Sequence, residues 1–173
     1  DLEKRYVRPT QRATYKFFVF AIICFGIQVL VGIISANDFI RVDTLFGLDI
    51  ASIIPFTVAR SLHLTLQIYW FFLCWIGYTL FLLPRLSRVP PGQVGLTNLL
   101  FAWTVLVGGG AIVGIFLGPM GYLSDNMAYW FGSQGWEFME LGRFWQFLLL
   151  FSFCLWILII YRGVKPWLTK ENV

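Results

Sequence analysis

The single histidine of the chain, His63, lies inside a long apolar run. Counting from Pro55, which the first turn of a helix tolerates, His63 lies about eight residues, or roughly 12 Å, along the helix that this run predicts. An ionisable side chain at that depth in a membrane indicates a functional site by default, and neutral imidazole is a common ligand of haem iron. The residue alone leaves two interpretations open: a haem ligand, or a histidine hydrogen-bonded to a neighbouring helix.

Arg60 precedes His63 by three residues, so the two side chains share a helix face. A cation one turn nearer the outer end of the helix would suit a haem whose propionates point outward. The alternative is an arginine that extends to the lipid headgroups. One histidine supplies neither a second axial ligand nor a binuclear centre. The opposite ligand of such a haem must therefore come from a longer polypeptide or from a partner subunit.

Glu137 and Glu140 lie near the start of the last apolar run and are three residues apart. On a helix the two carboxylates share a face near its N-terminus, where the helix dipole favours negative charge. They serve either that purpose or oxygen ligation of a hard cation such as calcium. The cysteines Cys24, Cys74 and Cys154 form no C-x-x-C pair, and we interpret them as buried apolar side chains.

The elements that must position these residues are membrane helices. The chain is 58% hydrophobic and 13% charged, a composition that excludes an ordinary soluble domain. At 1.5 Å rise per residue, four of its apolar runs can each cross a hydrocarbon core of about 30 Å. We predict one all-α integral-membrane segment, residues 1–173, with spans at about residues 17–36, 55–83, 96–118 and 144–161.

The basic residues alternate in density from one loop to the next, which orients the spans. Ten of the 13 Lys and Arg residues lie in the two terminal segments and the loop around Arg85. The other three accompany six acidic residues in and beside the loops at 37–54 and 119–143. By the positive-inside rule we expect a multi-pass protein of the bacterial inner membrane with both termini in the cytoplasm. Because the basic residues form no single patch, we expect no nucleic-acid partner.

A stripe of small residues marks the third predicted span. Gly110, Gly114 and Gly118 follow one another at intervals of four residues. Such spacing lets another helix approach closely. We therefore interpret the glycines as packing positions.

Three segments of the chain are similar to a known family. Phe46–Gln67, which contains Arg60 and His63 and is followed by Trp70, Trp75, Gly77 and Pro84, resembles the second core helix of quinol-dependent nitric oxide reductases. These enzymes belong to the haem–copper oxidase superfamily. Gln134–Gln146 resembles their sequence before the fourth core helix, and Tyr161–Pro166 resembles its end. The resemblance runs in order over nearly the whole chain.

The resemblance implies a haem–copper-oxidase-type bundle of which this chain forms the first four of 12 helices. It implies that His63 is one axial ligand of a low-spin haem b. It also implies that Glu137 and Glu140 lie near a calcium ion that bridges haem propionates. The second haem b ligand, the high-spin haem and the non-haem iron would belong to the remainder of the protein, so no catalytic residue is expected in this chain.

One departure from the family concerns the electron donor. Where quinol-dependent members carry His and, four residues later, Glu in contact with the quinol, this chain has Asn37 and Arg41. A degenerate quinol site is a feature of nitric oxide dismutases, which resemble the reductases. The expected function is reduction of nitric oxide to nitrous oxide, and the alternative within the family is dismutation to dinitrogen and oxygen.

Two further classes remain open. The chain could be a non-catalytic haem-carrying or structural membrane subunit, since it lacks the binuclear-centre ligands, or a transporter with an intramembrane histidine. The expected partners are membrane lipid and the rest of the catalytic bundle, or another subunit that supplies the second haem ligand. A homodimer is a further alternative.

Overall fold

A computed structural model describes residues 7–133 and 141–168 of the chain. Four long helices dominate it, and three short helical segments connect them. In chain order the elements are α1 (Pro9–Ile40), a 3-10 helix (Val42–Phe46), α2 (Ile50–Ile53), α3 (Phe56–Leu86), α4 (Gln93–Leu117), α5 (Asp125–Phe131) and α6 (Arg143–Val164). No strand longer than an isolated bridge occurs in the described ranges.

The four long helices have the length and apolarity of membrane spans. The prediction of an all-helical membrane protein with four spans is confirmed by the length and composition of these helices. The helices are longer than the spans that hydropathy alone outlined: α1 begins eight residues before residue 17, and α3 continues three residues beyond residue 83. Their polar ends extend past the apolar runs, because a helix needs no hydrophobic residues outside the membrane.

Local chemistry sets where the helices begin and end. Pro9 occupies the first turn of α1, where its missing N–H is not needed. Arg41 ends α1 in the left-handed conformation at φ 58°, and its N–H donates to the carbonyl of Asn37 at 2.7 Å. Gly92, with φ 78°, precedes α4 and makes the sharp turn that brings α4 back beside α3.

The core of the bundle lies between α1 and α3, which pack antiparallel along most of their length. Phe17 of α1 is fully buried, and its ring meets the edge of Phe101 of α4 at a centroid distance of 5.2 Å. Leu66 and Leu73 of α3 are each 1% exposed. This packing holds α1 and α3 in a fixed register, and the candidate site lies at their contact.

The glycine stripe of α4 is a packing surface. The indole of Trp145 from α6 covers Gly110, and the end of α5 covers Gly114 through the backbone of Phe131. The same indole donates from Nε1 to the Phe131 carbonyl at 2.8 Å. The stripe therefore accommodates a tryptophan side chain and the end of a short helix, in addition to the helix–helix approach that the spacing predicts.

Candidate functional site

His63 lies on the face of α3 that packs against α1. It is partly buried and lies seven residues after the first residue of α3, about 10 Å along the helix. Its Nδ1 lies 2.9 Å from the backbone carbonyl of Gln28 in α1. A carbonyl can only accept, so this hydrogen bond requires the ring proton to be on Nδ1. The lone pair of the neutral imidazole is then on Nε2.

The side-chain amide of Gln28 also contacts the imidazole. Its Nε2 lies 3.3 Å from Nε2 of His63 and 3.4 Å from Nδ1. Nδ1 already donates to the carbonyl and cannot accept a second hydrogen bond. We therefore assign the amide contact as donation from Gln28 to the lone pair on Nε2 of His63. Gln28 therefore contacts both nitrogens of the ring, one through its backbone and one through its side chain.

Gly32 provides the space for the ring. It follows Gln28 by one helical turn, on the same face of α1. A Cβ at residue 32 would lie 2.7 Å from Nδ1 and 2.8 Å from Cε1 of His63, closer than non-bonded carbon and nitrogen atoms approach. The lack of a side chain at this position is therefore a requirement of the observed ring position.

Sequence reasoning did not identify Gln28 and Gly32, although a signal was available for the first. Gln28 is the only amide side chain in the otherwise apolar run at residues 17–36, and it is 9% exposed. A buried amide in a membrane helix usually finds a partner on a neighbouring helix. The sequence does not indicate which helix supplies that partner, since this depends on the register between α1 and α3.

The structure describes only some of the other residues that the sequence analysis assigned to a haem or a metal ion. Arg60 is partly buried in α3, one turn nearer the helix start than His63, so the two lie in the order expected. Glu137 and Glu140 lie outside the described residues. Within the described ranges, no group of three or more His, Cys, Asp and Glu side chains is arranged to bind a metal ion.

Asn37 and Arg41 meet at the end of α1, where both contact Asp43. The Asn37 Oδ1 accepts the Asp43 N–H at 3.1 Å. Arg41 approaches the Asp43 carboxylate at 3.7 Å and that of Asp49 at 4.0 Å. Asp43 in turn accepts the backbone N–H groups of Thr44 and Ile50, each at 3.0 Å. These contacts hold the turn after α1 together, and we refer to them as the Asp43 cluster.

Asp43 is the centre of that cluster, and the sequence did not single it out. The residue is 3% exposed although it lies in the short 3-10 helix of the connection between α1 and α3. The N–H of Ile50, the Asn37 side chain, the positive charge of Arg41 and the N–H of Thr44 favour its ionised form and outweigh its burial, so the pKa of Asp43 is lowered. The carboxylate is therefore ionised at neutral pH and organises the loop.

A cavity of about 280 Å³ lies between α3, α4 and α6, and His63 does not line it. The hydroxyls of Ser61, Thr104 and Ser152 at its wall all donate to carbonyls of their own helices. The cavity is therefore apolar in character. Two further polar residues line it, Thr65 and Tyr69, and the Tyr69 hydroxyl donates to the Thr104 carbonyl.

The imidazole of His63 has the chemistry of a haem ligand and would hold the iron through one nitrogen. The Nδ1 proton is held by a carbonyl, the arrangement that fixes the tautomer and orientation of ligating histidines. Nε2 is then the atom that would ligate a metal, and the Gln28 amide, 3.3 Å away, would have to turn away from it. The described residues offer no second imidazole, since His63 is the only histidine of the chain.

A bundle of membrane helices that carries a partly buried histidine is compatible with part of a haem–copper oxidase, and comparison with known proteins gives the same class. The family cytochrome c and quinol oxidase polypeptide I matches residues 12–172, and the chain belongs to it. The chain is also 32% identical over 116 residues to a subunit of the nitric oxide reductase of Stutzerimonas stutzeri. The superfamily inferred from the sequence is confirmed, and this relative supports its nitric oxide reductase branch.

The alignment with this relative also shows how the lengths of the two chains compare. The alignment covers 67% of this chain and 23% of the relative. The chain thus spans less than a quarter of the length of the curated relative it matches. Its family is that of membrane-embedded oxidoreductases that carry haem and metal cofactors.

Proposed function

We propose that the chain is the haem-b-carrying membrane portion of a nitric oxide reductase-like oxidoreductase that reduces nitric oxide to nitrous oxide. The observation that carries this proposal is the hydrogen bond from Nδ1 of His63 to the Gln28 carbonyl. It places the lone pair of the ring on Nε2, on a helix that resembles the haem-bearing helix of the family. The similarity to a nitric oxide reductase subunit supports the substrate.

In this proposal each residue has a defined task. His63 binds the iron of a low-spin haem b through Nε2, and Gln28 holds the ring through its carbonyl. Arg60, one turn toward the start of α3, neutralises a haem propionate. Bound there, the haem would accept electrons one at a time and pass them on. Glu137 and Glu140 are proposed as calcium ligands next to the propionates.

The rest of the enzyme would complete the site. The second axial ligand, the high-spin haem and the non-haem iron are proposed to come from the remainder of the protein or from a partner subunit. The proposed location is the bacterial inner membrane with both termini in the cytoplasm. The excess of Lys and Arg at the end of the bundle where α1 begins supports this orientation.

A second candidate function, dismutation of nitric oxide to dinitrogen and oxygen, is favoured by the Asp43 cluster. Asn37 and Arg41 lie where quinol-dependent relatives are expected to carry the residues that contact quinol. Here the Asn37 oxygen accepts a loop N–H, and Arg41 faces two carboxylates. Neither side chain has the chemistry of a proton acceptor. Dismutation needs no external electrons and is compatible with this arrangement.

Replacement of His63 by Ala in the complete protein tests the proposal. A methyl group cannot ligate iron, so the low-spin haem b bands in the reduced-minus-oxidised spectrum should disappear while the protein still inserts into the membrane. Ile68→Ala, on an exposed face of the same helix, is the matched control and should leave the bands unchanged. A normal haem b spectrum in His63→Ala would show that His63 is only a hydrogen-bonding partner of α1.

A further inference from the structure

A proline interrupts the hydrogen-bond ladder of α3 close to its C-terminal end. Pro84 lies inside the helix and has no N–H to donate to the carbonyl of Leu80, four residues earlier. The ladder resumes immediately afterwards, since Ser87 donates to the carbonyl of Leu83 at 3.2 Å. A carbonyl deprived of its helical partner in a membrane protein is normally satisfied by a neighbouring side chain or by an ordered water.

The side chain of Gln11 already serves one carbonyl in this turn. Its Nε2 donates across from α1 to the carbonyl of Phe81, at 3.1 Å, and Gln11 itself is 2% exposed. The carbonyl of Leu80 precedes that of Phe81 by one residue and lies toward a different side of the helix. A side chain of α1 therefore does contact this turn of α3. Gln11 donates to the Phe81 carbonyl, however, and does not satisfy the carbonyl of Leu80.

Besides Ser87 Oγ and Arg162 Nε, two other polar side-chain atoms at this end of the bundle are buried without a partner among the described residues. They are Oγ1 of Thr10 in α1 and Oε1 of Gln93 in α4, and each residue is 5% exposed. The amide nitrogen of Gln93 is satisfied, because it donates to the carbonyl of Ile159 at 2.9 Å. This hydrogen bond fixes the orientation of the amide, and its oxygen has no hydrogen-bond donor among the described residues.

Thr10, Gln93, Leu80 and Pro84 line one small cavity of about 10 Å³ between α1, α3, α4 and α6. A cavity of about that size holds a single water molecule when two to four polar partners surround it. Three of the lining residues carry groups that suit a water: the Thr10 hydroxyl can donate, and the Gln93 Oε1 and the Leu80 carbonyl can accept. We propose that one ordered water binds in this cavity, accepts from Thr10, and donates to Gln93 and to Leu80.

The chemistry of the cavity selects water over other ligands. A metal cation would need several oxygen ligands and would meet no carboxylate among the lining residues. Arg88 also lines the cavity, but the Leu80 carbonyl and the Gln93 Oε1 would repel an anion and have no proton to donate to it. A molecule larger than water does not fit the volume. Three partners match the typical coordination of a buried water, which bridges the ends of three spanning helices.

High-resolution structure determination of the complete protein tests the site directly. The expected result is density at about 2.6–3.2 Å from the Thr10 Oγ1, the Gln93 Oε1 and the Leu80 carbonyl oxygen. A direct hydrogen bond between Thr10 and Gln93, or a cavity without density, would overturn the proposal.

Thermal unfolding of paired variants of the complete protein tests the proposed water site independently. Thr10→Val removes one partner of the water, whereas Thr14→Val is the control, because the Thr14 hydroxyl donates to the Gln11 carbonyl of its own helix. We expect Tm to fall more for Thr10→Val than for Thr14→Val. Pro84→Ala supplies the missing N–H to Leu80, so the effect of Thr10→Val should shrink in that background. Equal effects of the two valine substitutions would contradict the bridging role.

Discussion

The imidazole of His63 lies directly against the backbone of α1 at Gly32, where a Cβ would be 2.7 Å from Nδ1. We predict that Gly32→Ala displaces the ring and breaks its hydrogen bond to the Gln28 carbonyl, because the backbone of α1 is held by its packing on α3. The content of low-spin haem b in the purified complete protein should fall severalfold. Optical spectra normalised to protein concentration measure this change.

Gly26 provides the matched control for that prediction. It lies on the same helix, but an added Cβ meets no atom within 4 Å. Gly26→Ala should preserve the haem spectrum and raise helix stability by about 0.5–1 kcal/mol, since alanine is the better helix former. If both variants retain haem, either the close contact at Gly32 relaxes without consequence or His63 does not hold the haem.

The second prediction concerns the orientation of the bundle. In a variant without the three native cysteines, a single cysteine at Leu45 or at Asp125 should react with a membrane-impermeant maleimide added from the periplasmic side. A cysteine at Arg88 should react only after the membrane is permeabilised. The three positions are exposed in the structure, so their reactivity reports sidedness. The opposite labelling pattern would reverse the proposed orientation.

The third prediction concerns the Asp43 cluster. Asp43→Asn should increase hydrogen exchange in the loop at residues 42–54, because a neutral amide is a weaker acceptor for the Thr44 and Ile50 N–H groups. The folded-state pKa of Asp43 is lowered, so its contribution is present above the ordinary carboxyl pKa and is lost as pH falls through the lowered value. The difference between the two proteins should therefore be full at pH 7 and vanish in strong acid.

Asp49→Asn serves as the control for that experiment. Its carboxylate is 63% exposed and lies 4.0 Å from Arg41, so its loss should change exchange in the loop only slightly. Exchange is compared between proteins at one pH at a time, because the intrinsic rate changes with pH. An unchanged exchange rate in Asp43→Asn at pH 7 would show that the loop does not depend on this carboxylate.

The sequence predicted those features of the fold that depend on composition and on local pattern. Four long apolar runs define four membrane helices, and a histidine within one of them stands out because lipid cannot solvate it. The contact of His63 with Gln28 and Gly32 was not predictable, because it depends on the register between α1 and α3. Asp43 was missed for a related reason: its burial arises from the fold of a loop that has no periodic pattern.

The last prediction concerns the electron donor and follows from the end of α1. Oxidation of a quinol releases protons, so a quinol site needs an acceptor that titrates near the working pH. Asn37 has no titrating group, and its oxygen accepts the Asp43 N–H at 3.1 Å, while Arg41 stays protonated at any physiological pH. We therefore predict that quinol supports little or no turnover of nitric oxide by the complete enzyme.

Two assays on the complete enzyme separate the proposed functions. Nitric oxide labelled with nitrogen-15, supplied without a donor, should yield labelled dinitrogen by mass spectrometry and oxygen at an electrode if the enzyme is a dismutase. A reductase with another donor should consume nitric oxide only when an artificial reductant is added, and should form nitrous oxide. Asp49→Asn, which leaves Asn37 and Asp43 in place, should behave as the unmodified enzyme in both assays. Rapid quinol-dependent formation of nitrous oxide would show that residues other than Asn37 and Arg41 serve the quinol, and it would remove the support for dismutation.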